Sequence, residues 1–451
     1  MEKSSADVIC QQHCDTVGEK RMKSSSKISA STSGDCYRHV PVSIAHFHRK
    51  EIQLGKQIGE GYFSKVYEVS AFRLRSDSAD DVDNSYSTTS SSKEEQSARE
   101  YCQRNAQLKN GQARYVMKHL NPRLLSEKSS LVNAAFDLVT EAKFLSELDH
   151  PNILKLRGTA RGTPFQGGGY DCYFIIIDRL GDTLAQRIQR WRRWRRQRNG
   201  GQNAPSPPSL EQKMGYAGQI AQALLYLHQQ RLILRDLKPD NIGFVASDDC
   251  SEQEAQDRLQ IFDLGLCRRL PEKSLDEETE ITCNDVFEMS GVGTRRYMSP
   301  EACLQKPYNQ KSDVYSWSMV FVEILTEQKP FAEFTKEEHH KFVCQLGGCP
   351  NLSKWSFDVP DLLKDLLRKT WCHNVGRRWT MAQVCEKLHS IQNCHTTNSH
   401  REASGAPNTD INPTTKGKSC TRFSEEKSSL RLISAETMQD RIKADPTTLT
   451  I

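Results

Sequence analysis

Apolar and polar residues alternate along the chain in two rhythms, and each predicts a different element. From Glu51 to Ile58 apolar positions recur at about every second residue, the period of a half-buried strand, and this segment runs into GEGYFSKV, Gly59 to Val66. A strand, a glycine-rich turn and a second strand are predicted there. Another short strand follows from about Arg114 to His119, and then a helical stretch carrying VTEAKFLSELDHPNIL. Farther on, Ala217, Ile220, Ala221, Leu224 and Leu225 repeat with a period of 3.6, so they form the inner face of a long helix. Ile261 to Gly265, IFDLG, reads as an apolar strand ending in a turn.

Elsewhere the periodicity fails. Residues 1–45 are Ser/Lys-rich and 393–451 are Thr/Ser/Asn-rich, and both are predicted to be disordered tails. Between the second and third strands, about Ser76 to Asn110 holds DSADDVDNSYSTTSSSKEEQ; it is far longer than a hairpin needs and is expected to be a mobile loop. The patterned domain therefore spans 46–392, with insertions near 72–112, 190–208 and 246–258. Inside the second insertion, an amphipathic start at Leu184 leads into WRRWRRQR, Trp191 to Arg198, and then a Gly/Pro/Ser-rich loop ending near Pro208. The plainer expectation is a solvated helix extension. The sharper one is a basic site for an acidic or phosphate-bearing partner, including a nuclear-import receptor.

Composition narrows the classes. A net charge of +5 over 451 residues is too small to argue for nucleic acid. The 15 cysteines are scattered without a CxxC pair, and no apolar run reaches the ~18 to 20 residues that span a membrane. A reducing, intracellular setting is expected, cytoplasmic with the nucleus as an alternative. Cys10, His13 and Cys14 form a loose cluster in the first tail, read as free rather than metal-binding.

The chemistry gathers in Leu232 to Asn241, LILRDLKPDN, where one loop carries an acid, a base and an amide. Asp236 can accept a hydroxyl proton, Lys238 can neutralise charge, and Asn241 can hold a metal ion. That set suits phosphoryl transfer, which depends on positioning and charge neutralisation. The loop resembles the catalytic loop of eukaryotic protein kinases, and further motifs follow the family's order. Gly59 and Gly61, with Ser64 at the third glycine position, resemble its glycine-rich turn. Lys118 of YVMK and Glu141 match its strand lysine and helix glutamate, and Asp263 its metal-binding aspartate. GTRRYMSPE, Gly293 to Glu301, resembles the end of its activation loop; Asp313 matches the aspartate that braces the catalytic loop, and Arg377 the arginine that pairs with Glu301.

The resemblance implies an α+β, two-lobed fold: a small, mainly antiparallel β lobe with one key helix, and a larger, mainly helical lobe. It implies a protein serine/threonine kinase using ATP and two Mg²⁺ ions, with Mn²⁺ as a substitute, on Ser/Thr hydroxyls of protein substrates. Asp236, Lys238, Lys118 and Glu141 would be catalytic. Gly59, Gly61, Ser64, Val66, Val116, Lys118, Asp178, Leu180 and Asp182 would surround the nucleotide, with the hinge near Asp178 to Gly181. Asn241 and Asp263 would hold the metal. Lys238 and the GTRRYMSPE segment point to Ser/Thr rather than Tyr, with Thr294 positioning Asp236 and Lys238. Arg235 would meet a phosphate on the activation loop, at Thr282 or Ser290 among Thr279, Thr282, Ser290 and Thr294.

Departures from the family bear on mechanism. Leu234 stands for a histidine and Leu264 for a phenylalanine, so with Leu145 and Leu156 the stack joining the lobes becomes all leucine. Val116 stands for an alanine above adenine and Gly243 for a large apolar residue below it; either the base shifts downward or Phe244 or Met117 fills the gap, and ATP affinity is expected to be weaker than in a typical family member. The rival readings are a pseudokinase scaffold and an arginine-rich binding protein.

Overall fold

The computed structural model describes residues 44–74, 92–161, 173–198, 206–246, 258–271, 282–352 and 359–403. Compact unit 1–396 contains nearly all of them; unit 397–451 is described only at its first residues, the end of a helix. Cys10, His13, Cys14 and Thr279 lie outside the described residues.

The small lobe is a six-stranded sheet. Its strands are β1 (Ala45–Phe47), β2 (Ile52–Glu60), β3 (Ser64–Phe72), β4 (Tyr115–Leu120), β5 (Leu156–Ala160) and β6 (Phe174–Asp178), in the order β1-β5-β6-β4-β3-β2. All pairings are antiparallel except β1 with β5. The parallel strand lengthens the family-like sheet: Ala45, assigned from sequence to the tail, is fully buried with Phe47.

The long insertion is not simply a loop. Residues 75–91 fall outside the description, but Lys93–Arg104 form a helix, α1, capped by the Ser92 side chain, which accepts a hydrogen bond from the Glu95 amide. Its buried residues are Ala98, Arg99 and Cys102. Arg99 reaches Glu51 at 2.5 Å, and both side chains are buried. Among the described residues the small lobe thus carries two α-helices, α1 and the expected α2 (Lys128–Glu147).

The large lobe begins with β7 (Leu180–Thr183), α3 (Leu184–Arg198), α4 (Leu210–Gln229) and β8 (Leu232–Ile233). It continues through β9 (Ile242–Val245), β10 (Leu259–Ile261), β11 (Arg268–Arg269), α5 (Pro300–Cys303), α6 (Lys311–Thr326) and α7 (Lys336–His339). A π-helical turn, His340–Gln345, then leads to α8 (Asp361–Thr370) and α9 (Met381–Ala403). Helix α6 is its axis, buried on every side from Lys311 to Leu325, and Trp317 donates its indole N–H to the Ala217 carbonyl at 2.9 Å. On α4, Ala217, Ile220, Ala221 and Leu224 are core as expected; Leu225 sits at the margin, and Ala223 and Leu227 complete the buried face.

Helix α3 departs from the plainer sequence reading of a solvated extension. Trp191 is buried and stacks on Tyr216, with centroids 5.8 Å apart. Arg192 donates to the Glu327 carbonyl, and Arg195 and Lys213 reach the buried Glu327 carboxylate at 2.5 and 2.8 Å. Trp191 on this face is core, while Arg193, Arg195 and Arg196 are exposed, Arg195 despite its ion pair. Among the described residues no helix is long and apolar enough to cross a membrane.

Candidate functional site in the cleft

Strand alternation decides which side chains face the cleft. On β4, Val116 and Leu120 join the main core with Ile175 and Ile177 of β6, whereas Tyr115, Met117, Phe174 and Ile176 belong to the cluster behind the sheet. Lys118 shares the Val116 face. It reaches Glu141 of α2 at 2.6 Å and Asp263 at 2.9 Å, so three elements meet at one ammonium. Burial would lower the Lys118 pKa, but the carboxylates of Asp263 and Glu141 outweigh it and hold the ammonium charged. The same lysine charge depresses the pKa of Asp263, while burial raises that of Glu141. Asp263 is further held by the chain itself: β10 bonds to Asn152, the Leu154 amide donates to the Ile261 carbonyl at 2.9 Å, and Asp263 takes a left-handed backbone at φ 65°.

The catalytic-type loop is fixed from beneath. Asp313 of α6 accepts hydrogen bonds from the backbone amides of Leu234 (2.9 Å) and Arg235 (3.0 Å), and its carboxylate lies 3.0 Å from His228 Nε2. His228 went unread in the sequence; its place in the last turn of α4, just before the loop, was the available signal. Above this brace, Asp236 Oδ1 accepts from the Thr294 amide and hydroxyl, both at 2.8 Å. Its Oδ2 accepts from Lys238 at 2.6 Å and from the Asn241 amide nitrogen at 3.2 Å. Lys238 also donates to Thr294 Oγ1 at 3.1 Å, which closes the ring. Asn241 donates through Nδ2 and so keeps Oδ1 as an acceptor, and Asp263 has a second oxygen beyond the one that takes Lys118. Hard oxygens of this kind suit Mg²⁺.

The glycine-rich turn is a hairpin in which the Gly61 amide donates to the Ser64 carbonyl at 2.8 Å. Gly59 pairs with Val66, and Val66 with Lys118, so Val66 lies beside the lysine and Gly59 one strand beyond it. Buried Asn121 anchors the tip by donating to the Gly61 carbonyl, while Tyr62 and Phe63 stay exposed.

Three expectations around the nucleotide change. The Asp178 carboxylate faces away from the cleft, because alternation puts it with Phe174 and Ile176; Arg157 holds it through two bonds of 2.7 Å. Only its backbone can serve a hinge. Asp182 is taken by Arg190 at 2.5 Å. The gap at Gly243 is filled by Leu180: a Cβ there would lie 2.6 Å from Leu180 Cδ1. Neither Met117 nor Phe244 fills it. Met117 lies behind the sheet, and Phe244 is buried edge-on to Tyr216 beneath Arg187.

The arginine pairing with Glu301 is Arg378, not Arg377. Arg378 is buried and binds both carboxylate oxygens, at 2.6 and 3.0 Å, whereas Arg377 is exposed. The four leucines 145, 156, 234 and 264 are all buried within one core cluster.

A family model described as protein kinase domain matches residues 102–389. The match begins in α1, past the glycine-rich hairpin that the insertion separates from the rest. The chain is 31% identical over 252 residues to the probable serine/threonine-protein kinase gdt4 of Dictyostelium discoideum, covering 56% of this chain and 13% of that protein. It is 30% identical over 182 residues to the serine/threonine-protein kinase VIK of Arabidopsis thaliana, covering 40% and 37%. It is 27% identical over 247 residues to mitogen-activated protein kinase kinase kinase 12 of Rattus norvegicus, covering 54% and 23%. The match thus spans well under half the length of each of these relatives. A two-lobed fold, a lysine shared by Glu141 and Asp263, and a family match over more than half of the chain lead to one assignment: the chain belongs to the protein kinase family.

Proposed function

We propose that this protein is an ATP-dependent serine/threonine protein kinase acting on hydroxyls of protein substrates. The observation that carries the reading is the closed ring of Asp236, Lys238 and Thr294, with lysine two residues after the aspartate. ATP would supply the phosphoryl group, and Mg²⁺ at Asn241 and Asp263 would neutralise its charge. Asp236 orients the acceptor hydroxyl and takes its proton. Lys238 offsets the charge developing opposite it, and Lys118, kept charged by Glu141, supplies a positive point for the phosphates. Val66 and Val116 cover the base from above and Leu180 from below. Gly59 and Gly61 let the hairpin backbone approach the phosphates.

Lys118, Asp236, Asn241 and Asp263 are all retained, and hydrogen bonds link Lys118 to Asp263 and Asp236 to Asn241, which weighs against a pseudokinase scaffold. Arg235 supports control by activation-loop phosphorylation. Its Nε donates to the Leu266 carbonyl, while Nη1 is buried without a hydrogen-bond partner among the described residues, a donor that a phosphate would satisfy. Thr282 and Ser290 are both exposed. Exposed Arg193 and Arg196 leave room for a weaker contact to an acidic partner, less than the full Trp191–Arg198 segment would offer.

The purified chain, incubated with labelled ATP and Mg²⁺, should form phosphoserine or phosphothreonine. Asp236→Asn should lower the rate by about a thousandfold. Equal incorporation by the variant, or phosphotyrosine alone, would sink the reading. In the same assay, joint alanine replacement of Thr282 and Ser290 should reduce activity.

A further inference from the structure

Three soft donors converge outside the cleft. Cys303 ends α5, and His340 and Cys344 stand four residues apart on the π-helical turn His340–Gln345. Cys303 Sγ, His340 Nδ1 and Cys344 Sγ all lie within 4.8 Å of one another, and the Cys303 to His340 distance is 4.0 Å. A tetrahedral zinc ion, with bonds of about 2.3 Å to sulfur and 2.0 Å to nitrogen, needs ligand atoms roughly 3.5 to 3.8 Å apart. Closing the triangle therefore takes small side-chain adjustments and leaves the backbone in place.

The donor chemistry is selective. Two thiolates and one imidazole are soft ligands that favour zinc over the hard Mg²⁺ suited to Asn241 and Asp263. Two thiolate charges also cancel a divalent cation, so the site would be neutral where Cys344 is buried. Cys303 and His340 are partly exposed, which leaves water a route to a fourth ligand position. A π-helical turn is rare in proteins and often marks functional sites. Here the turn carries both His340 and Cys344.

We propose that Cys303, His340 and Cys344 bind one zinc-class ion with a fourth position open to solvent. The ion would tie α5, which begins within the Gly293–Glu301 segment, to the turn after α7, a role independent of phosphoryl transfer.

The test uses the whole chain, reduced with a phosphine, stripped with a chelator and titrated anaerobically with Co²⁺. A thiolate-to-cobalt charge-transfer band with tetrahedral d–d absorption is expected, and Zn²⁺ should displace it. Cys303→Ser, Cys344→Ser and His340→Ala should each weaken binding at least about tenfold, whereas Cys385→Ser and Cys10→Ser leave it unchanged. Zn²⁺ should also raise the Tm of the intact chain but not of Cys303→Ser, a comparison that holds if one variant folds poorly. Three results would overturn the proposal: no such band, a band that survives all three substitutions, or a Cys303–Cys344 disulfide forming in a chain that takes up no metal.

Discussion

Leu180 and Gly243 exchange the positions expected of a side chain and a space. Because Leu180 Cδ1 occupies the volume that a Cβ on Gly243 would need, the two residues are coupled. Gly243→Leu alone should overpack the site and destabilise the protein by about 1 to 3 kcal/mol, read from denaturant unfolding. Leu180→Ala should weaken ATP binding about tenfold, near 1.4 kcal/mol, by removing apolar contact with the base. The double variant should recover most of both losses, and an additive result would show that the residues do not share one space. Motif spacing made Asp236, Lys238, Lys118 and Glu141 legible, because each role sits at a fixed offset in a local pattern. Leu180 was named as a neighbour of the nucleotide, but its filling role depends on how β7 lies against β9, which no local pattern encodes. The choice between Arg377 and Arg378 was illegible for a similar reason: the turn at Asn374, whose carbonyl accepts from both amides, sets which arginine points inward.

At the scale of elements, α3 shows how composition misleads. Its run of arginines resembles a solvated or ligand-binding face, yet its cations converge on Glu327, more than 130 residues away in sequence. Glu327 caps α6 with a left-handed backbone at φ 59°, and its carboxylate is buried. Burial would raise its pKa, but hydrogen bonds from Arg195 and Lys213 outweigh this and hold it below the ordinary 4.5. A depressed carboxyl contributes stability that is present above the ordinary value and lost as pH falls through the folded one. Glu327→Gln should therefore cost about 3 kcal/mol near pH 7, and the gap from the parent should narrow below about pH 4.5 in unfolding measured across pH. A constant gap would mean that the carboxylate's charge contributes nothing.

Across the whole molecule, the two-lobed α+β plan was legible through the family resemblance that the motifs carry, whereas periodicity announced only single strands and helices. Helix α1 was not: KEEQSAREYCQR offers only Ala98 and Cys102 as small buried residues, and its third inward residue is a charged arginine. No apolar stripe announces such a helix. Its burial depends on Glu51, 48 positions earlier, so only the assembled sheet reveals the pair. Arg99→Met should cost about 3 kcal/mol by removing the guanidinium that faces the buried Glu51 carboxylate, read from denaturant unfolding. The Arg99–Glu51 pair also acts as a clasp around residues 75–91, pinning the fold on both sides of that stretch. The clasp steadies the sheet from outside its own strands, because one charged contact joins the residue just before β2 to the helix that precedes β4.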